Sequence, residues 1–194
     1  MSRQQLSPAR LEAFSDGVIA VIITIMVLEL KPPRDTTLVS LRSILPQFLS
    51  YLLSFVVVAI MWVNHHHVLH AARRADARLL WSNNFLLFWM SLVPFVTAFM
   101  GNNYRDPRAV ALYGVVLSLC SVSFVLLRTA IAEHHRSEPD AFRYHRRMRF
   151  KNVFSLFLYG ASVPLAFADV RISFFIFVFV ALSYFLPERK LAEA

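Results

Sequence analysis

The sequence predicts an all-α membrane protein with six transmembrane helices per subunit, and three observations carry that prediction. Apolar types make up 57% of the 194 residues and charged types only 16%, whereas soluble domains are about a quarter charged. The Lys and Arg residues lie in the gaps between long apolar runs. Those runs approach the roughly 20 residues that a helix needs to cross a hydrocarbon core.

The chain reads as one domain over 1–194, with helices over 8–30, 45–69, 79–100, 108–131, 153–168 and 172–186. Ser7 is placed to cap the first helix, Pro8 suits its first turn, and Pro32 and Pro33 stop it. Pro46 is tolerated in the first turn of the second helix, and Pro94 predicts a kink in the third. Asp106 and Pro107 open the fourth. The last two are short. A single helix from Val153 to Leu186 would be about 50 Å long, beyond a core of about 30 Å. A hairpin turning at Asp169, Val170 and Arg171 fits better, with five spans as the alternative.

The charge distribution sets topology and excludes other classes. The net charge of +8 sits beside the spans, which suits anionic lipid contact. No nucleic-acid motif accompanies it, so nucleic acid is not an expected partner. The basic residues concentrate before the first span, around Arg73, Arg74 and Arg78, along Arg143 to Lys151, and at Arg189 and Lys190. That imbalance predicts cytoplasmic N- and C-termini in a cell-membrane protein. The polar start, Met1 to Gln5, and the interruption of the first apolar run by Ser15 and Asp16 do not resemble a signal peptide. With Cys120 as the single cysteine, no intramolecular disulfide forms.

Candidate functional residues cluster on the first three helices. Asp16 is an ionisable group inside a span, where charge is costly and normally faces protein or water. Gly17, Val21, Thr24 and Leu28 share one helical stripe. Two readings of that stripe stand open: an ordinary packing seam, or a pore lining with one hydroxyl between two apolar constrictions. The second helix ends in Trp62-Val-Asn64-His65-His66-His67-Val-Leu-His70. His66 and His70 have a spacing that metal ligands also use, but no Cys or acidic ligand lies near them in sequence. The expectation is therefore no metal, with a histidine paired to a buried polar group such as Asp16. Asn83 and Asn84 suit interhelical hydrogen bonds. No nucleophile elbow, Walker loop, HExxH or TVGYG filter is present. Neither an enzyme nor a cofactor is expected.

The pattern R-x-x-x-F-S-D-G, given by Arg10, Phe14, Ser15 and Asp16, is followed by Thr24 and then Met26-Val-Leu28-Glu29. It resembles the signature of the transmembrane protein 175 potassium channel family. Trp62-Val-Asn64-His65-His66 and Pro94-Phe95-Val96-Thr97 are similar to later segments of that family. The resemblance implies a prokaryotic, single-repeat member that assembles as a homotetramer, with the first helix of each subunit lining a central pore. It implies a hydrophobic constriction at Val21, a K⁺-preferring hydroxyl layer at Thr24 and a further narrow ring at Leu28. It also implies a structural polar network of Arg10, Phe14, Ser15 and Asp16 with His65, His66, Asn83 and Asn84. Val21 is smaller than the Ile or Leu usual at the constriction, and His67 stands where an Arg is common.

Four copies around an axis create a water path that one small subunit has no room for. A ring of threonine hydroxyls replaces part of an ion's hydration shell, less completely than stacked carbonyls do, so modest K⁺ over Na⁺ selectivity is expected. K⁺ as permeant ion and membrane lipids are the expected partners. The alternative is a proton-coupled secondary transporter using Asp16 and the second-helix histidines. A membrane enzyme or metal protein centred on His65 to His70 is the third reading.

Overall fold

The computed structural model describes residues 7–33, 35–134 and 139–185, all of them helix or short connection. Its helical segments are α1 (Pro8–Leu28), α2 (Leu38–Ser43), α3 (Leu45–His70), α4 (Ala77–Ser91), α5 (Val93–Asn102), α6 (Pro107–His134), α7 (Pro139–Ala166) and α8 (Val170–Phe185). Among the described residues four helical stretches are long and apolar enough to cross a membrane: α1, α3, α4 continued by α5, and α6. α8 is a shorter apolar helix.

Among the described residues there are eight segments where the sequence reads six spans, for two local reasons. Pro94 has no N–H to donate, and the 79–100 stretch breaks into α4 and α5 at Leu92. The second extra segment, α2, is one short helix in the first connection. Its N-cap, Thr37, accepts from Ser40 N, and Asp35 Oδ1 in turn accepts from Thr37 N and Oγ1. The Thr37 side-chain hydrogen bond holds the exposed Asp35 carboxyl below its ordinary pKa.

The fifth expected helix, 153–168, also differs. α7 begins at Pro139 and carries the basic run within it. A hydropathy window finds only the apolar part of a helix, and the charged part needs no apolar window to be helical. At 1.5 Å per residue α7 is about 42 Å long, more than a hydrocarbon core spans. The chain then reverses. Asp169 Oδ1 accepts from Arg171 N to start α8, and Ser173 Oγ donates to Ser162 O, joining the two arms of the hairpin.

α6 is the hub, packing against α3, α4, α5, α7 and α8. Its Tyr113 and the Phe177 of α8 are fully buried, with ring centroids 5.0 Å apart. A Cβ at Gly114 would stand 2.6 Å from Ser162 Oγ, so glycine is what lets α6 and α7 approach. Gly101 does the same between α5 and α3, where a Cβ would meet Gln47 Cα at 3.0 Å. A buried hydroxyl group ties the same helices. Ser54 Oγ lies 2.9 Å from Tyr113 OH and 2.7 Å from Thr97 Oγ1.

Among the described residues α1 packs chiefly against α3, α4 and α5. Its 21 residues span about 31 Å, close to the thickness of a hydrocarbon core. Leu11, Ser15, Ile19, Ile22 and Met26 form the buried face, at helical spacing. That placement leaves the opposite face outward.

Candidate functional site

The outward face of α1 is the stripe of Gly17, Val21, Thr24 and Leu28. All four residues are exposed; Val21 is 54% and Leu28 75% accessible. A Cβ at Gly17 would meet nothing within 4 Å. Among the described residues no helix of the same subunit covers this stripe. An open groove of about 740 Å³ runs beside it between α1 and α5, lined among others by Phe14, Gly17, Val21, Ile25, Pro94 and Phe95.

Thr24 is the one hydroxyl of that stripe. Its Oγ1 lies 3.1 Å from Ala20 O and 3.0 Å from Val21 O, so its proton is directed back to the helix backbone. The oxygen lone pairs are then free to face outward. An oxygen acceptor with its proton turned away is the group a hard cation needs. Thr97 is different. It is buried, and its Oγ1 lies 2.7 Å from Val93 O as well as from Ser54 Oγ. Thr97 thus belongs to the interior packing of the subunit.

The buried face of α1 is held by a directional chain of hydrogen bonds. Ser15 Oγ donates to Leu11 O at 2.8 Å and accepts from Asn83 Nδ2 at 2.9 Å. Asn83 Oδ1 lies 2.7 Å from His65 Nε2. An amide oxygen only accepts, so Nε2 carries the proton and donates. Ser15, Asn83 and His65 are fully buried and link α1, α4 and α3. In the neutral ring Nδ1 of His65 is an acceptor, and it has no partner among the described residues.

The other expected members of the polar network make separate contacts. Among the described residues Asp16 meets no histidine in a hydrogen bond; its Oδ1 accepts from Trp62 Nε1 at 2.9 Å. Trp62 sits one turn before His66, on the face of α3 turned to Asp16. His66 Nδ1 pairs instead with Glu12 Oε1 at 2.9 Å. Neither Trp62 nor Glu12 was singled out from sequence as a partner. A tryptophan near a span end reads equally as an interfacial anchor, and the spacing within one helix says nothing of the facing helix. Arg10 and Phe14 are exposed, and Arg10 makes no ion pair among the described residues. Asn84 is exposed beside Trp81, Phe85 and Phe88, since consecutive helical residues point about 100° apart. The basic side chains from Arg143 to Arg149 lie outside the described residues.

The fold is that of a helical membrane protein in which one face of α1 is left uncovered. Residues 10–94 match the family model described as endosomal/lysosomal potassium channel TMEM175. A potassium channel of Chryseobacterium sp. (strain P1-3) is 36% identical over 189 residues, covering 97% of this chain and 98% of that relative. A potassium channel of Streptomyces collinus is 33% identical over 186 residues, covering 90% of each. The crystal structure of a TMEM175 homologue from Chamaesiphon minutus, described as a lysosomal potassium-selective channel, superposes with a TM-score of 0.82. It is 28% identical and covers 91% of this chain and 95% of that one. The chain therefore belongs to the TMEM175 family, a family of ion channels and not of enzymes.

Proposed function

We propose that this chain is a subunit of a passive K⁺ channel, a homotetramer in which α1 of each subunit lines a central pore. The observation that carries this reading is the bare stripe on α1. Val21, Thr24 and Leu28 lie on a helix apolar enough to cross a membrane, yet their own subunit leaves them uncovered. Four such stripes facing an axis enclose a path in which Val21 and Leu28 form apolar rings. Such rings close by dewetting, and Thr24 between them offers oxygen to an ion that has shed water. Ser15, Asn83 and His65 keep the opposite face of α1 seated, which fixes the orientation of the stripe. Asp16, held by Trp62, and His66, held by Glu12, add polar ties between α1 and α3. Arg10, Phe14 and Asn84, exposed in the single subunit, are available to neighbouring subunits or to water and headgroups.

The remaining architecture follows from the same reading. Residues 1–194 form one transmembrane unit. The α7–α8 hairpin supplies the fifth and sixth spans, and both termini lie in the cytoplasm of a prokaryotic plasma membrane. The basic run of the sequence from Arg143 to Lys151 suits anionic headgroups, which makes membrane lipids the other partner. Selectivity is modest because hydroxyl rings resolvate K⁺ incompletely. No cofactor is required.

The test is ion flux into liposomes loaded with purified protein, in K⁺, Rb⁺, Cs⁺ and Na⁺. K⁺ flux exceeding Na⁺ flux is expected, with the preference reduced in Thr24→Ala and kept in Thr97→Ala. Equal K⁺ and Na⁺ permeation in the wild type would count against the reading, and equal effects of the two substitutions would remove Thr24 from the selectivity layer. Saturable flux at a fixed proton ratio would favour the proton-coupled transporter instead.

A further inference from the structure

Glu12 and Asp16 stand one turn apart on α1, and His66 faces them from α3. Like charges four residues apart on a helix repel, so the pair calls for a cation. Among the described residues Glu12 meets only His66, and Asp16 only the neutral Trp62. One ligand atom from each of Glu12, Asp16 and His66 lies within 4.8 Å of the other two. We propose that Glu12, Asp16 and His66 form a binding site for a borderline divalent transition-metal ion, of the Zn²⁺ type, that ties α1 to α3.

The donor set selects the ion. One imidazole nitrogen with two carboxylates suits Zn²⁺ and its neighbours, whereas Mg²⁺ and Ca²⁺ prefer oxygen alone. Bonds of 2.0–2.2 Å in a tetrahedral site place ligand atoms about 3.4 Å apart. The pair at 2.9 Å needs to open slightly, and since all three atoms lie within 4.8 Å of one another no pair needs to close by more than about 1.4 Å. Trp62 Nε1 holds one oxygen of Asp16 and leaves the other available. The His70 ring stacks on His66 at 6.0 Å and 21°, which steadies the imidazole. The His66 side chain is 46% and that of Glu12 19% exposed, so water reaches the site and completes the coordination. The i, i+4 spacing of His66 and His70 is thus not the ligand pair. The acidic ligands come from another helix.

Because this is a binding claim, it stands or falls separately from ion conduction. The experiment is calorimetric titration of the full, tag-free chain in detergent with Zn²⁺, and with Mg²⁺ in parallel. One Zn²⁺ per chain is expected, with no Mg²⁺ isotherm. Glu12→Gln and His66→Ala should each weaken Zn²⁺ binding at least about tenfold. Glu29→Gln, which removes a carboxylate at the far end of α1, should leave it unchanged. Asp16→Asn keeps an oxygen for Trp62 and tests the site even if another variant fails to fold. The proposal is overturned by the absence of saturable Zn²⁺ binding. It is equally overturned by an affinity that folded Glu12, Asp16 and His66 variants retain, or that Glu29→Gln loses to the same extent.

Discussion

α1 and α6 are almost equally apolar, with mean hydropathies of 2.1 and 2.4 over their best stretches, yet 28% of the one and 61% of the other is buried in the subunit. Hydropathy therefore reports that both helices belong in a membrane and does not distinguish their roles. α6 is surrounded by its own subunit and carries the packing. α1 is seated on one side only, by Leu11, Ile19, Ile22 and Met26 with the hydrogen-bonded Ser15 among them, and turns its Val21–Thr24–Leu28 edge away. The difference between the helices lies in how their faces are covered. It teaches that α6 residues should answer to stability measurements and the bare edge of α1 to transport measurements.

Substitutions at the hub should break that contrast most strongly. Gly114→Leu puts a side chain where even a Cβ would be 2.6 Å from Ser162 Oγ. A loss of about 3 kcal/mol is expected from such overpacking, read as a large fall in the thermal midpoint of purified protein. An unchanged midpoint would mean that α6 and α7 are not as close as described. Asn83→Ala comes next. It strands the His65 Nε2 proton in a buried site, and an unsatisfied donor costs about 1–3 kcal/mol. Asn83→Asp, which keeps the acceptor, should recover part of the midpoint.

The two threonines sharpen the comparison at the small end. Thr97→Ala removes one member of the Ser54–Tyr113 hydroxyl group and should cost about 1 kcal/mol, seen in thermal melts with K⁺ preference intact. Thr24→Ala removes a hydroxyl that bonds only to its own helix and should shift the melt by at most about 0.5 kcal/mol. A melt for Thr24→Ala as low as that for Thr97→Ala would place Thr24 in a packed interface instead of an aqueous one.

Much of this was legible in the residues. Ser7 was readable as the cap of α1, whereas α2, capped by Thr37, was too short to leave a periodic signal. Pro94 marked the break at Leu92. The basic stretch of α7 was missed as helix because its charges hide it from a hydropathy reading. At the site, Ser15, Asn83 and His65 were readable as polar groups in apolar helices that needed partners. Their pairing was not readable, since it depends on how α1, α3 and α4 rotate about their axes. That rotation gave Asp16 to Trp62 and His66 to Glu12, and left Arg10, Phe14 and Asn84 at the surface of the subunit.

Cysteine accessibility tests the central claim most directly. Cys120, the single native cysteine, is fully buried, so the background is silent. Water-soluble thiol reagents attack the thiolate, which forms where water reaches and not against lipid. With single cysteines at 21, 24 and 28 and at 19, 22 and 26, K⁺ flux in liposomes should be blocked by reagent only in the first set. Block at the second set, or none at 21, 24 and 28 in variants that still conduct, would contradict an ion path along this edge of α1.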